Sequence, residues 1–121
     1  MVKVILSSVA NDTYLKLKVS NKKIEKSIFN SVCEKLEQIK QDPKIGESIK
    51  KKLIPKRYIS DYGITVLYKI RLANYWRLLY TIKDNELEII AIIVDIIDHD
   101  EYNNVFGFKK KWYYEKNNIA I

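Results

Sequence analysis

The sequence predicts a single α+β domain, because helical and strand patterns occupy different halves of the chain. Residues 21–41 carry apolar side chains at helical spacing, whereas residues 66–97 are rich in β-branched and aromatic residues divided by short polar turns. The chain has 121 residues, of which 47% are hydrophobic, and this length can bury one core but hardly two. We therefore expect residues 1–121 to form one domain, with helices packed on one face of an antiparallel sheet.

Strand and helix signals follow each other in the N-terminal half. Residues 2–6 form a short apolar run with β-branched residues, which predicts a strand. Residues 10–20 fit a strand and a helix equally well, so periodicity leaves this segment open. Residues 21–41 predict an amphipathic helix that ends before Pro43. Its core-facing stripe consists of Ile24, Ile28, Val32, Leu36 and Ile39. Residues 44–63 are rich in lysine and predict a loop, which could contain a helical turn near residues 46–52.

Three strands are predicted in the C-terminal half, at residues 66–72, 76–82 and 87–97. They form an antiparallel meander, and the third is apolar throughout residues 89–94, as expected for a central strand covered on both faces. A three-residue turn at residues 73–75 pairs Arg71 with Arg77. This register is favoured because it places the apolar sets of both strands on a common face.

The same register gathers three cations, Lys69, Arg71 and Arg77, on the other face of the hairpin. Like charges directly opposite each other destabilise a sheet, and the planar fork of arginine suits phosphate, so the cluster favours an anion-binding site. Alternatively, these side chains splay into water or pair with an acid such as Glu88. The formal net charge of +7 fits a polyanionic partner, and it fits a simple need for solubility equally well.

No segment predicts secretion or a membrane span. The longest apolar run, residues 89–94, is far below the roughly 20 residues of a transmembrane helix, and the N-terminus lacks a signal-peptide pattern. Cys33 is the only cysteine, so the chain has no internal disulfide, and its place on the apolar side of the predicted helix makes it a core residue. These observations predict a cytoplasmic protein without membrane contact.

The only histidine, His99, lies just after the third predicted strand. It is surrounded by the acids Asp98, Asp100 and Glu101. Such donors could ligate a metal, but the sequence has no second ligand cluster with recognised spacing, so we predict no metal and no cofactor. His99 is then either an acid/base group, since an imidazole titrates near neutral pH, or a solvated residue that begins a turn. Tyr102 stands at helical spacing from Phe106 and could pack in the core.

Three stretches carry a resemblance to a known family: LYKIRLANYWRLLYTI, IIDHDEYNNVFGF and IKQDPKIGESIKKKLIP. The first resembles the paired basic strands of the RelE/ParE superfamily of type II toxin–antitoxin toxins. The second resembles the H-x-x-Y ending of its RNase branch, and the third resembles its link between the second helix and the sheet. The resemblance covers nearly the whole chain. It implies a RelE-like fold with an N-terminal strand, two N-terminal helices on one face of the sheet, including residues 10–20, and a C-terminal meander.

The resemblance also implies a ribosome-dependent messenger-RNA endonuclease that a cognate antitoxin neutralises. Lys69, Arg71 and Arg77 would then face RNA, and His99 and Tyr102 would match the C-terminal acid/base positions. Metal-independent cleavage would use the 2′-hydroxyl of the substrate as nucleophile, with the arginines stabilising the transition state and His99 as general acid. Lys69 would hold the scissile phosphate or assist proton transfer, and Tyr102 could stack on a base. Other residues expected to bind messenger RNA in the ribosomal A site are Lys56, Arg57, Lys109, Lys110, Lys111 and Trp112.

Two other functions stay open. A ParE-like relative would poison gyrase without acid/base groups, and a catalytically degenerate relative would only bind RNA or a partner protein. The hairpin cations and His99 favour the RNase. The acids beside His99 would repel phosphate, which keeps the degenerate relative open.

Overall fold

Five strands form one sheet in a computed structural model that describes residues 2–85 and 87–107. The strands are β1 (Val2–Leu6), β2 (Glu47–Ile49), β3 (Leu67–Arg71), β4 (Arg77–Asp84) and β5 (Ile89–Ile97). Their order across the sheet is β1-β5-β4-β3-β2. The helices are α1 (Ser8–Val19), α2 (Lys23–Gln41), α3 (Lys56–Tyr62) and α4 (His99–Phe106), with short 3₁₀ turns at Lys51–Leu53 and Ala73–Tyr75.

The predicted α+β class and the C-terminal meander are confirmed, but the sheet is mixed. β1 runs parallel to β5, with Val2 beside Ile89 and Leu6 beside Ile93, whereas β2 to β5 pair antiparallel. The expectation of a fully antiparallel sheet is therefore wrong at this one pair. Alternation of side chains along a strand is the same in parallel and antiparallel pairs, so the sequence pattern carried no information on the direction of β1.

The two long helices pack on one face of the sheet, as predicted. Ser7 caps α1, because its hydroxyl accepts a hydrogen bond from the amide of Ala10 at 3.1 Å. Residues 10–20, which periodicity left open, are thus helical almost to their end, as the resemblance implied. In α2 the stripe residues Ile28, Val32 and Ile39 are buried, while Ile24 in the first turn is exposed.

A second hydrophobic cluster lies on the opposite face, where α3 and α4 cover the sheet. It contains Ile54, Tyr58, Ile64, Leu67, Leu79, Val94, Ile97 and Tyr102. Because both faces are covered, β5 is apolar along most of its length, as predicted for a central strand. The predicted loop at residues 44–63 is partly right, since a 3₁₀ turn at Lys51–Leu53 overlaps the helical turn expected near residues 46–52. It is wrong in that the segment also contains β2 and α3. Elements of three to seven residues are too short to show a periodic pattern.

Among the described residues, no helix is long and apolar enough to cross a membrane.

Candidate functional site

The β3–β4 hairpin has the predicted register, and this register sets the geometry of the site. Arg71 lies directly opposite Arg77, and the amide of Leu72 donates to the carbonyl of Trp76 at 2.9 Å. Between them, Asn74 adopts a φ of 56°, a conformation that asparagine tolerates better than most residues. The two arginine side chains therefore leave the sheet side by side on the face that carries α3 and α4.

Lys69 stands on the same face as Arg71, two residues earlier in β3. Its Nζ lies 3.7 Å from a carboxylate oxygen of Glu47 and donates to the hydroxyl of Tyr102 at 3.2 Å. The side chain of Glu47 is 71% exposed, so this ion pair is well solvated and contributes little to stability. The three predicted cations are thus brought together along one side of the hairpin.

The two arginines differ from Lys69 in having no acidic partner within the described chain. Arg77 donates from Nη1 to the carbonyls of Tyr75 and Trp76 at 2.9 and 3.1 Å, and its guanidinium carbon lies 5.3 Å from the centre of the Tyr102 ring. Arg71 is exposed. No carboxylate of residues 2–85 or 87–107 forms an ion pair with either arginine, and Glu88, the acid considered as a partner, does not reach them.

His99 lies across a surface depression from the two arginines. The depression has a volume of about 660 Å³, and its lining includes Arg71, Tyr75, Arg77 and His99. His99 is the exposed first residue of α4; its Nε2 lies 3.1 Å from the side-chain nitrogen of Asn103, and its ring centre lies 5.9 Å from that of Tyr75. The structure therefore gathers a guanidinium pair and an imidazole around one opening.

The acids beside His99 have structural roles. Asp98 caps α4 by accepting a hydrogen bond from the amide of Glu101 at 2.8 Å, and acids in the first turn interact favourably with the helix dipole. Glu101 lies 3.6 Å from a guanidinium nitrogen of Arg57. Capping of α4 and the ion pair with Arg57 therefore explain why carboxylates occur next to this basic site.

Tyr102 is buried and packs against Phe106, with the two ring centres 4.7 Å apart. Its hydroxyl accepts a hydrogen bond from Nζ of Lys69, and the guanidinium of Arg77 lies over its ring. Tyr102 therefore contacts both cations. The core packing with Phe106 that the helical spacing suggested is present. The ring has little free surface on which a base could stack.

Arg57, predicted to bind RNA, belongs to a separate ionic network. Its Nη2 lies 3.1 Å from a carboxylate oxygen of Asp95, and the Tyr58 hydroxyl donates to the same oxygen at 2.9 Å. Asp95 is only 5% exposed. Burial of the Tyr58 hydroxyl and, next, the negative charge of Asp95 raise the pKa of Tyr58 above the ordinary tyrosine value. A β-bulge at Val94 places Asp95 in this position.

The sequence reasoning missed this network, although it contained a usable signal. Asp95 is the only charged residue in the otherwise apolar strand β5, and such a residue needs a buried partner.

Of the other predicted RNA-binding residues, only Lys56 lies in the part of the chain that the structure describes. Lys56 is exposed at the start of α3 and does not line the depression. Lys109, Lys110, Lys111 and Trp112 lie outside the described residues.

Within the described ranges, no group of three or more His, Cys, Asp or Glu residues could hold a metal ion.

Comparisons with known proteins give matches among solved structures. No model of a protein family and no curated protein matches the chain. A YoeB/ParE toxin from Agrobacterium tumefaciens superposes with a TM-score of 0.57 at 12% identity, over 80% of this chain and 98% of that one. The YoeB dimer structure from Staphylococcus aureus gives a TM-score of 0.54 at 22% identity, over 81% and 97%. The chain therefore has the fold of the YoeB/ParE toxins.

Proposed function

We propose that the chain is the toxin of a type II toxin–antitoxin pair and that it acts as a metal-independent endonuclease on messenger RNA. The fold shared with YoeB/ParE toxins supports the first part. The second part is carried by one observation: Arg71 and Arg77 face each other across the hairpin without an acidic partner among the described residues. Two like charges at this position weaken the sheet, and a bound phosphate would remove the repulsion.

The geometry suits cleavage by the 2′-hydroxyl of the RNA. As this oxygen attacks the neighbouring phosphorus, its proton passes to solvent water and negative charge builds on the phosphoryl oxygens. Preorganised guanidinium groups stabilise such charge strongly. The bond from phosphorus to the 5′ oxygen then breaks, and His99 is the group that can deliver a proton to that oxygen. Lys69, fixed by Tyr102, would hold the phosphate or assist proton transfer.

The partners follow from the same surface. A toxin of the RNase branch would meet messenger RNA in the ribosomal A site, and the net charge of +7 would favour approach to ribosomal RNA. In the cytoplasm a cognate antitoxin with an acidic segment would cover the hairpin cations, because complementary potentials accelerate association.

Expression in cells separates the functions most directly. Wild type should arrest growth and cut translated messages, whereas Arg77→Ala should lower cutting by about 100- to 1,000-fold, the usual loss on removing one donor to a transition-state oxyanion. The matched control is Lys83→Ala, which removes an exposed cation from the far end of the same strand. Circular dichroism of the purified variants checks the fold.

Other results would redirect the proposal. Arrest with signs of DNA damage and intact messages would indicate a gyrase poison of the ParE type. Normal growth with salt-sensitive RNA binding would indicate a degenerate, binding-only relative. Cutting by Arg77→Ala at the wild-type rate would contradict the nuclease assignment.

A further inference from the structure

The tip of the β3–β4 hairpin presents an aromatic ring that the proposed chemistry does not use. Tyr75 is the last residue of the turn, and 73% of its surface is exposed. Its φ is 63°, in the region that bulky side chains rarely adopt. Glycine or asparagine would satisfy this turn with less strain, and neither would place a large ring in water.

The strained conformation of Tyr75 is tied directly to the arginine site. The carbonyl of Tyr75 accepts a hydrogen bond from Nη1 of Arg77 at 2.9 Å, so the turn and the guanidinium hold each other in place. Backbone strain of this kind persists when surrounding contacts enforce it, and it is concentrated at functional sites. The position of the ring is therefore fixed relative to the cation that would bind phosphate.

The ring of Tyr75 borders the same depression as Arg71, Arg77 and His99. Its nearest aromatic neighbour is His99, but the two rings are tilted by 59° with their centres 5.9 Å apart, so neither covers the face of the other. Tyr102, by contrast, is buried under Arg77 and Phe106. Around this opening, Tyr75 is thus the tyrosine whose ring face can receive a planar ligand.

We propose that Tyr75 binds a nucleobase of single-stranded RNA by stacking, next to the phosphate held by Arg71 and Arg77. The proposal rests on the proposed function and adds to it the part of the substrate that the site recognises. An aromatic ring beside a cationic groove is the arrangement that binds single strands, because the cations hold the backbone while the ring accepts a base. Duplex RNA has its bases stacked internally and would not reach the ring.

The test uses a short single-stranded oligoribonucleotide that carries 2′-methoxy groups, which prevent cleavage, and one 2-aminopurine base. Stacking quenches the fluorescence of this base. Wild type should bind with quenching, and Tyr75→Gly, which relieves the positive φ, should bind about 5- to 100-fold more weakly and without quenching. Tyr75→Phe keeps the ring and should behave like wild type.

Two controls keep the test decisive. Tyr62→Ala removes an exposed tyrosine at the end of α3, outside the depression, and should leave binding unchanged. Tyr75→Asn also tolerates positive φ, so it should match Tyr75→Gly in affinity if the ring is what binds, with an unfolding midpoint no lower than that of wild type.

The possible failures are distinguishable. If wild type binds the oligonucleotide and Tyr75→Gly binds and quenches equally well, the stacking role is wrong while the RNA site stands. If wild type does not bind the oligonucleotide, the stacking role of Tyr75 is contradicted. The nuclease proposal is then decided separately by the cutting of translated messages in cells, because its substrate is messenger RNA in the ribosomal A site. If Tyr75→Gly loses toxicity with unchanged RNA binding, Tyr75 contacts a protein instead, and the proposal is overturned.

Discussion

Two arginine sites on the same face of the sheet have opposite surroundings. Arg57 lies between the carboxylates of Asp95 and Glu101, and Tyr58 completes the network. Arg71 and Arg77 face each other, and no described carboxylate pairs with them. Carboxylates within the fold neutralise the charge of Arg57, whereas no described carboxylate neutralises the opposed pair. The difference supports our proposal that the opposed pair binds an anion, whereas Arg57 is held in an ion-pair network within the fold.

The predicted effects on stability follow this contrast. Removing one partner of a buried ion pair costs about 3–5 kcal/mol, because the other group is left without compensation. The Arg57 side chain is 46% exposed, so its share of this cost is reduced by solvent. Removing the exposed Arg71 should cost little, or should stabilise the fold, because it relieves the repulsion with Arg77.

The largest effect is expected for Asp95→Ala. This change leaves the buried Tyr58 hydroxyl without its acceptor and Arg57 without its closer carboxylate, and it should lower the free energy of unfolding by about 2–3 kcal/mol. Urea denaturation measures the change. Asp84→Ala, at the exposed end of β4, is the matched control and should stay within about 0.5 kcal/mol of wild type. Equal effects of the two variants would contradict the structural role of the Asp95 network.

Alkaline pH should weaken the Arg57 network through Tyr58. Its pKa is raised in the folded state by burial and then by Asp95, so the unfolded chain releases this proton first, near pH 10. The resulting stability is fully present below about pH 10 and is lost as the pH rises toward the folded-state pKa. Tyr58→Phe removes this titration, so its free energy of unfolding should fall less steeply with pH than that of wild type. Parallel curves would show that Tyr58 is not perturbed.

A smaller effect, of opposite sign, is expected for Arg71→Glu. The new carboxylate faces Arg77 across the hairpin, and an opposed pair of unlike charges should raise the free energy of unfolding by about 0.2–1 kcal/mol. The same change should abolish toxicity, because it neutralises the arginine pair. Thermal unfolding and a growth assay together measure this trade between stability and function. A variant that is both less stable and fully toxic would contradict the assignment of Arg71.

The sequence predicted the hairpin well because burial selects its register. A shift by one residue would place arginine among the apolar side chains of β3 and β4, so only one pairing of Arg71 was acceptable. The direction of β1 could not be predicted, since its alternation fits either orientation. The short elements β2 and α3 were missed because their apolar residues contact distant strands instead of forming a local period.

The candidate site was predicted in part for a similar reason. Lys69, Arg71 and Arg77 are close in sequence, so their convergence follows from one hairpin. The partner of Arg57 lies 38 residues away in β5, beyond any local pattern, and only the isolated charge of Asp95 indicated that a partner was needed. Tyr75 was placed in the turn by the sequence, but its positive φ and its position beside His99 required the three-dimensional structure.

The salt dependence of RNA binding tests the contrast between the two arginine sites most directly. Affinity for an uncleavable single-stranded RNA is measured over a range of salt concentrations for wild type, Arg71→Ala, Arg77→Ala and Arg57→Ala, with thermal unfolding as the check on folding. Each arginine that contacts a phosphate contributes about 0.7 to the slope of log affinity against log salt. We predict that Arg71→Ala and Arg77→Ala each lower the slope by about this amount, and that Arg57→Ala leaves it unchanged. A slope that falls only in Arg57→Ala would contradict our proposal that Arg71 and Arg77, and not Arg57, contact the phosphates.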